Sequence, residues 1–487
     1  MSKVLFANTY FYKLDSKQWK FRQPYPPLGT LQAAAVVREL GMSTAVFDVS
    51  LTDNPLEIKT ALVNEKPTYF ILYDDGFNYL TKMCLTIMRE AAYKMALLAK
   101  RSGCIVIINS SDASDHYEKY FENGVDYVIR GEGEMRLKEL LTALDKRTDT
   151  SMLSGLAFRK HGRLTVNPSK EVLKKLDELP IPAWDLINLT PYQSLWKKHH
   201  GYFSLNIATT RGCPYKCNWC AKPIYGNRYN SRSPEHVVKE IEYLITNYQP
   251  DHFWMCDDIF GLKPGWIKSF NDLVHKRKLS FKYKIQSRVD LVVEKDIVQS
   301  LAESGCESVW LGAESGSQKI LDAMDKGTTL EQIHKASQSL KQSGIKVAFF
   351  LQFGYPGEMS ADIDATIKMV LKEMPDEIGI SVSYPLPGTK FYENVKSQLL
   401  EKRNWTDSDD LAMLYQSSFP VAYYKILQRY VHSRYRIQRG VNLFKTRIKK
   451  PMLKKKDIRK VISMLYHIPL SIIQSYRLKR LSVQHAS

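Results

Sequence analysis

Long apolar runs are missing from this chain of 487 residues. No run of about 18 apolar residues occurs, so the sequence predicts no helix that spans a membrane. The first ten residues, MSKVLFANTY, lead straight into an apolar run without the charged and apolar regions of a secretory leader. Both absences favour a cytoplasmic protein.

Cysteine is also scarce, with seven residues in the whole chain. Four of them are scattered and form no second C-x-x-C motif: Cys84, Cys104, Cys256 and Cys306. This usage excludes a disulfide framework and favours a reducing cytoplasm. It also excludes a second cysteine-ligated cluster.

Acidic residues are nearly absent from the C-terminal part of the chain. After Tyr424 there are seventeen lysines and arginines against a single acid, Asp457, so +16 of the net charge of +19 lies there. Residues 1–424 carry the remaining +3. The basic character therefore belongs to one segment and not to the whole protein.

The other three cysteines lie together in TTRGCPYKCNWCAKPIYGN, residues 209–227, as C-x3-C-x2-C. Thiolates from Cys213, Cys217 and Cys220 could hold three irons of a cubane 4Fe-4S cluster and leave the fourth iron open to a ligand. Zinc would usually need a fourth Cys or His at matching spacing, and none lies close by. Three unrelated core cysteines are the remaining alternative. We predict a cluster loop.

Residues 1–150 alternate between short apolar runs and helical patterns. The runs predict five strands at 4–7, 44–48, 68–73, 105–109 and 126–129, with helices at 28–40, 55–64, 79–101 and 116–123 between them. This alternation favours an α/β fold with a doubly wound parallel sheet, which binds ligands at the carboxyl ends of its strands. Small and polar residues stand there: Asn8, Thr9, Asp74, Asp75, Gly76, Ser110, Ser111, and the glycines and acid of 131–133.

Residues 201–400 repeat a strand and helix pattern six times. Strands are predicted at 203–208, 252–256, 282–286, 308–311, 346–350 and 377–383, which would form a partial (β/α)6 barrel. Polar residues follow five successive strands: Asp257, Asp258, Ser287, Arg288, Glu314, Ser315, and the strings GYPGE and PLPGT. Any one of these could be a surface turn, but their recurrence at successive strand ends predicts an active site.

The cluster loop resembles that of the radical S-adenosylmethionine superfamily, with Trp219 at the aromatic position before the third cysteine. The strings DDIFGL, QSRVDL, LGAESGSQKIL, FGYPGE and PLPGT match the same family. The resemblance implies that S-adenosylmethionine chelates the open iron through its amino and carboxylate groups. An electron from the cluster then cleaves it and yields a 5′-deoxyadenosyl radical.

The same resemblance assigns contacts to the cofactor. Asp257 or Asp258 would face the amine of S-adenosylmethionine, and Arg288 and Glu314 would meet its carboxylate or ribose. The backbone near Phe353 and Gly354 would edge the adenine.

Two strings of the N-terminal part, PYPPLGTLQAAAVVRELG and DYVIRGEGEMRLKELL, resemble the cobalamin-binding domain that precedes many radical S-adenosylmethionine enzymes. The D-x-H-x-x-G motif is absent, so no histidine ligand to cobalt is expected. A flavodoxin-like domain retained for packing, without corrin, is the alternative. The resemblance implies corrin contacts at Leu28, Gly29, Thr30, Asp74, Asp75, Gly76, Ser110, Ser111, Glu132 and Gly133.

The expected organisation is a cobalamin-binding domain over 1–150, a linker over 151–200, the radical barrel over 201–400 and a basic helical region over 401–487. The implied reaction is methylation of an unactivated carbon of a small or lipid-like substrate. It would use S-adenosylmethionine, the cluster, cobalamin and an external reductant of the flavodoxin or ferredoxin type. An anaerobic oxidative ring cyclase or radical rearrangement enzyme shares this domain order and stays open. A cobalamin sensor would not need the cysteine loop, and a tRNA methylthiolation enzyme would need a second cluster.

The basic C-terminal region mixes cations with apolar residues. Ile458, Val461, Ile462 and Leu465 form an apolar stripe, which Pro469 is expected to interrupt. A solvated helix, nucleic-acid binding and peripheral membrane contact all fit clustered cations. The interleaved stripe favours membrane contact over nucleic acid.

Overall fold

The computed structural model describes residues 3–169, 172–222, 224–447 and 455–484. A seven-stranded sheet forms the N-terminal domain, in the order β2-β1-β3-β4-β5-β6-β7. The first five strands are parallel, in the flavodoxin-like order 2-1-3-4-5, and β6 and β7 add antiparallel at one edge. The strands are β1 (Lys3–Ala7), β2 (Ser43–Phe47), β3 (Tyr69–Tyr73), β4 (Ile105–Asn109), β5 (Tyr127–Ile129), β6 (Leu156–Lys160) and β7 (Arg163–Val166).

The predicted doubly wound sheet is confirmed, and it extends past residue 150 through β6 and β7, into the stretch predicted as a linker. Buried strands such as β3 explain why this domain is apolar without alternation. Its helices are α1 (Ser16–Phe21), α2 (Leu28–Arg38), α3 (Ile58–Glu65), α4 (Thr86–Arg101), α5 (Ser111–Glu122) and α6 (Glu134–Asp145).

Two helix starts differ from the prediction by five residues or more. α4 starts at Thr86 and not near 79, because Cys84 has φ +54 and ends a preceding 3-10 turn. α5 starts at Ser111 and not near 116, because the Ser110 hydroxyl accepts a hydrogen bond from the Ala113 N–H and caps the helix.

A second sheet of six parallel strands forms the predicted partial barrel, in the order β15-β14-β13-β12-β11-β8. A short antiparallel ribbon, β9 with β10, closes the base of the cluster loop. The bounds are β8 (Ser204–Ile207), β9 (Thr210–Arg211), β10 (Asn230–Ser231), β11 (His252–Met255), β12 (Lys282–Ser287), β13 (Cys306–Glu314), β14 (Lys346–Phe353) and β15 (Glu377–Val382).

Helices connect the successive strands of this sheet, as the repeated strand and helix pattern of residues 201–400 predicts. They are α7 (Thr190–His200), which precedes the barrel, then α8 (Pro234–Tyr248), α9 (Trp266–Lys276), α10 (Lys295–Glu303), α11 (Gln318–Ala323), α12 (Leu330–Gln342), α13 (Ser360–Glu373) and α14 (Lys390–Val395).

The basic C-terminal region ends in an antiparallel pair of long helices, α15 (Val421–Arg447) and α16 (Lys455–Gln484). Ser433 Oγ lies 3.1 Å from His467 Nδ1, and Gly440 packs against Met464. The prediction that Pro469 interrupts this segment is wrong, because α16 continues through it. A proline costs a helix one backbone hydrogen bond, and packing against α15 outweighs that loss. Among the described helices, none is both long enough and apolar enough to cross a bilayer.

Candidate active site between the two sheets

The cluster loop leaves the carboxyl end of β8 and returns through β10. Gly212 has φ +76, and a Cβ there would lie 2.4 Å from the Arg228 carbonyl oxygen, so only glycine fits this turn. The loop presents Cys213, Cys217 and Cys220 as free, partly exposed thiols. The sequence therefore folds all three predicted ligands onto one loop at the active edge of the barrel.

Burial raises the pKa of Cys213 and raises that of Cys220 to about 12, and the neighbouring Cys217 adds to both effects. Iron must therefore displace protons from these thiols when it binds. Cations oppose the effect of burial. Lys222 acts on both of these thiols and Lys82 on Cys220, while the charges of Arg288 and Lys326 interact with Cys217.

The donor set suits a cubane better than a single ion. In the described ranges, no group of three or more His, Cys, Asp or Glu side chains is placed to hold a metal ion. A cubane needs no such convergence, because each thiolate binds a different iron. Three thiols on one glycine-pinned loop, ringed by cations, fit an anionic iron–sulfur cluster.

The two acids at the end of β11 have different environments. Asp257 is buried and accepts hydrogen bonds from the Thr209 N–H and hydroxyl and from the Thr210 N–H. Its carboxylate therefore fixes the chain just before the cluster loop. Asp258 is more exposed and pairs with Lys82 at 2.5 Å. Of the two predicted partners for an amine, Asp258 is the accessible one.

Arg288 and Glu314 already have partners in the chain. Arg288 pairs with Asp290 through two nitrogens, at 2.9 and 3.0 Å, and its Nη1 lies 3.8 Å from the Cys217 sulfur. Glu314 sits at a bulge of β13 with φ +57, and Lys326 donates to it at 2.8 Å. Both ion pairs lie beside the cysteines, so a ligand carboxylate or hydroxyl there would meet charges already in position.

Three other predicted residues frame this edge. Phe353 is buried at the end of β14. Gly354 has φ +80, and its carbonyl accepts a hydrogen bond from the Tyr415 hydroxyl. Trp219 lies 5.9 Å from the Lys326 ammonium, and its indole N–H has no partner in the described part of the chain. Trp219 belongs to the cluster loop itself, and Phe353 and Gly354 lie where β14 ends.

In the N-terminal domain the predicted corrin residues gather at the carboxyl edge of the first sheet. The Gly29 N–H donates to Asp75 Oδ1 at 3.1 Å, and the Thr30 hydroxyl donates to the Tyr73 carbonyl at 2.6 Å. These bonds dock the first turn of α2, which begins at Leu28, onto the end of β3. The Thr9 hydroxyl donates to Asp74 at 2.7 Å, and burial raises the pKa of Asp74 to about 7.

The ends of β4 and β5 carry further residues that were predicted as corrin contacts. Ser110 caps α5, whereas the buried Ser111 hydroxyl has no hydrogen-bond partner among the residues that the structure describes. A Cβ on Gly133 would lie 2.7 Å from the Tyr73 hydroxyl, so this position accepts only glycine without a shift. The unpartnered Ser111 hydroxyl and the polar edge suit a ligand rich in amides.

Arg211 joins the two domains, and the sequence analysis did not identify it. Its guanidinium contacts Glu132 at 2.5 Å and Glu134 at 2.7 Å, and all three side chains are at most 7% exposed. The ring of Tyr225 lies 5.2 Å from the same guanidinium. Nothing in the TRG string before Cys213 indicates a partner some 80 residues away in the chain. Glu132, predicted as a corrin contact, accepts a hydrogen bond from Arg211 with one carboxylate oxygen and from the Leu173 N–H with the other.

Arg211 with Glu132 and Lys82 with Asp258 bring the carboxyl ends of the two parallel sheets face to face. One narrow cavity at this interface is lined by residues of both sides, including Leu28 and Phe77 of the first domain and Arg211 of the barrel. A second narrow cavity lies beside Thr9 and Asp74.

The surface around Gly76 is covered. The ring of Tyr225 stacks on Phe77 with centroids 5.5 Å apart, and its hydroxyl lies 3.5 Å from where a Cβ of Gly76 would be. A ligand that reaches Gly76 must therefore take the place of this ring.

Comparison with known proteins agrees with this arrangement. The model of the radical SAM superfamily matches residues 207–370. An uncharacterised methyltransferase of Pyrococcus horikoshii is 28% identical over 386 residues, 78% of this chain and 81% of the relative. An anaerobic magnesium-protoporphyrin IX monomethyl ester cyclase of Rubrivivax gelatinosus is 27% identical over 281 residues, 56% of this chain and 49% of the relative.

Among solved structures, the cobalamin-dependent S-adenosylmethionine radical enzyme OxsB, with aquacobalamin bound, has a TM-score of 0.74. The match covers 98% of this chain and 72% of that chain at 18% identity, which shows a shared fold across both domains. The resemblance inferred from the cluster loop and the N-terminal strings is thus confirmed. Residues 207–370 thus match the radical SAM superfamily, and the chain as a whole is similar in fold to an enzyme of that kind that carries a cobalamin-binding domain ahead of its barrel.

Proposed function

We propose that this protein methylates an unactivated carbon of a small or lipid-like substrate, as a cobalamin-dependent radical S-adenosylmethionine enzyme. One observation carries the proposal: the cysteine loop lies between two parallel sheets whose carboxyl ends face each other. Parallel sheets bind ligands at these ends. A substrate held between them would meet a radical source on one side and a methyl source on the other.

The 5′-deoxyadenosyl fragment of one S-adenosylmethionine would take a hydrogen atom from the substrate carbon and leave as 5′-deoxyadenosine, with methionine as the other product, and a methyl group that originates from a second S-adenosylmethionine would take the place of that hydrogen. When bound, the cluster supplies the electron that cleaves S-adenosylmethionine, and the corrin carries the methyl group. The reaction draws electrons from an external one-electron reductant of the flavodoxin or ferredoxin type. This chemistry places the enzyme in the reducing cytoplasm.

The chain's own residues would bind the cluster and S-adenosylmethionine, orient them and shield the site. Cys213, Cys217 and Cys220 would hold the cluster, while Arg288 and Lys326 balance its negative charge. Asp258 would accept from the amine of S-adenosylmethionine after exchanging its contact with Lys82. Charge-assisted bonds of this kind are stronger than neutral ones and fix the orientation of a ligand.

The corrin side is proposed for the edge that carries Asp74, Gly76, Ser111 and Gly133. Ser111 offers a buried hydroxyl that no described residue satisfies, and no side chain projects from the two glycines. Corrin at Gly76 requires Tyr225 to move off Phe77. The substrate is then confined by the same interdomain ion pairs that close the interface.

Methyl transfer is favoured over oxidative cyclisation because the Pyrococcus methyltransferase matches more of the chain than the Rubrivivax cyclase does. The two reactions differ in their products. Methylation adds a carbon that comes from S-adenosylmethionine, whereas cyclisation adds none.

The test is anaerobic reconstitution with iron, sulfide and cobalamin, then incubation with methyl-deuterated S-adenosylmethionine, a reductant and a metabolite extract. We expect 5′-deoxyadenosine and a product that carries the deuterated methyl group. Cys217→Ala should form neither. Cys306→Ala is the matched control, because this buried cysteine starts β13 at the opposite end of the barrel from the site.

Two results would contradict the proposal. A wild-type protein that forms 5′-deoxyadenosine but transfers no label to any metabolite would assign the site to another radical reaction, such as cyclisation. A reconstituted protein that never retains cobalamin would assign the first domain to packing alone.

A further inference from the structure

Helix α16 exposes a continuous apolar stripe that no other described part of the chain covers. Its members recur at spacings of three and four residues, which places them on one face of the helix. Their exposure is high: Ile462 is 61% exposed, Leu465 59%, Ile472 67% and Tyr476 70%. The α16 stripe consists of Ile458, Ile462, Leu465, Pro469, Ile472 and Tyr476, flanked by Tyr466, Ile468 and Ile473.

The opposite face of α16 is occupied. Met464, His467, Ser471 and Leu478 are buried, and His467 contacts both Ser433 and Arg436 of α15. The helix is thus held by α15 through one face and leaves the other free. An exposed apolar surface of this extent marks an interaction site rather than scattered surface residues.

Charge is arranged around the stripe in a particular way. Residues 461–476 contain no Asp, Glu, Lys or Arg, whereas Arg459 and Lys460 precede them and Arg477, Lys479 and Arg480 follow. The one acid of the two helices, Asp457, is only 2% exposed. The hairpin therefore presents an apolar centre with cations at both ends and no exposed carboxylate in its described part.

The length of the uncharged segment decides how such a helix can meet a bilayer. Sixteen residues rise about 24 Å, which is shorter than the hydrocarbon core of about 30 Å. The segment is too short to span, and its apolar residues line one side only. A helix of this kind lies in the interface, with its apolar face among the acyl chains and its cations among the headgroups.

We propose that α16 docks lengthwise on the surface of an anionic membrane through the α16 stripe. The flanking cations select anionic lipid, and the stripe inserts between headgroups. An acidic protein partner would account for the cations, but it would not account for the long uncharged apolar segment between them. A second copy of the chain would bring the cations of two hairpins together, which repulsion opposes.

The register of the hairpin relates this surface to the active site. Ser433 lies opposite His467, so nine residues further along the antiparallel pair Tyr424 lies at the level of Tyr476. The ring of Tyr424 is 3.0 Å from where a Cβ of Gly354 would be, at the active end of β14. Docking therefore brings the end of the stripe near the edge of the barrel that carries the site. The membrane-docking proposal goes beyond the proposed chemistry and does not depend on it.

The experiment is sedimentation of the full-length protein with vesicles of phosphatidylcholine alone or with 30% phosphatidylglycerol. Wild type should pellet with the anionic vesicles and lose most of this binding in high salt, because salt screens exposed charges. The triple variant I462S/L465S/I472S should bind at least tenfold more weakly. Each cation near an anionic surface contributes about fivefold, so R477Q/K479Q/R480Q should lose about 100-fold.

Matched variants separate docking from general effects. V63S/M152S removes two apolar side chains that are 68% and 87% exposed on the N-terminal domain. K59Q/K198Q/K276Q removes three exposed cations elsewhere. Both should pellet like wild type. Because every substituted side chain is exposed, circular dichroism should show unchanged folding in all four proteins.

Several results would overturn the proposal. They are stripe variants that pellet as well as wild type, wild type that ignores anionic vesicles at low salt, a dimer in solution that the stripe variant abolishes, or tight saturable binding to RNA that the stripe variant weakens. Failure here would leave deuterium transfer by the reconstituted enzyme unaffected, so the two proposals fail separately.

Discussion

Replacing Arg211 with methionine tests the contact that joins the two domains. Methionine keeps much of the volume and removes the charge. Glu132 and Glu134 then remain buried without their cation, 7% and 2% exposed. Loss of one member of a buried ion pair costs about 3–5 kcal/mol, because the remaining charge has neither water nor a partner. We expect Arg211→Met to lower the free energy of unfolding by that amount at pH 8.

The loss should depend on pH in a defined direction. Burial already raises the pKa of Glu132 in the folded protein, and Arg211 opposes this effect. Without Arg211 that pKa rises further, so the folded state binds a proton more readily than the unfolded state. A group of this kind destabilises the fold increasingly as pH rises from its unfolded pKa to its folded pKa. The deficit of the variant should therefore be smaller at pH 5 than at pH 8.

The assay is urea unfolding of wild type and variant at both pH values, followed by tryptophan fluorescence. The matched control is Arg38→Met, because Arg38 pairs with Asp185 at an exposed site and should cost about 0–1 kcal/mol. Adding E132Q and E134Q to the Arg211 variant should recover most of the loss and remove most of its pH dependence. An Arg211 variant that unfolds like the Arg38 control at pH 8 would refute the reasoning.

Three further predictions concern the cluster and the first sheet. Replacing Cys213, Cys217 and Cys220 together with alanine should abolish the cluster absorbance and 5′-deoxyadenosine formation, and a mutant that keeps a full complement of about four irons would contradict the assignment. Asp74→Asn removes a carboxyl whose pKa burial raises to about 7. Wild type should lose up to ~4 kcal/mol between pH 4 and pH 8 through this group and the variant should not, which urea unfolding across that range would show. Gly133→Ala should lower the unfolding free energy by about 1–3 kcal/mol, because its Cβ would meet the Tyr73 hydroxyl at 2.7 Å, whereas Gly76→Ala, with its nearest contact at 3.5 Å, should stay close to wild type. Equal unfolding midpoints for the two glycine variants would contradict that account.

Local patterns were enough to place most of the fold. Alternating apolar runs and amphipathic segments located the five parallel strands of the first sheet and the six strands of the barrel, since strand and helix periods differ. The cysteine loop could also be predicted from the sequence, because its ligands lie within eight residues of one another. Helix starts were harder to predict. α4 begins at Thr86 because the backbone at Cys84 is left-handed, and no residue type at that position indicates such a turn.

The sequence by itself determined the two sheets, the cysteine loop and the resemblance to a family, since each rests on residues close together in the chain. Only the tertiary structure decided which charges meet. Asp257 fixes the chain before the loop while Asp258 stays accessible, and Arg211 crosses to Glu132 and Glu134 in the other domain. It also decided that Pro469 leaves α16 intact and that the apolar stripe stays exposed. Contacts between distant residues depend on how whole elements pack, and a periodic pattern records which face is apolar but not what covers it.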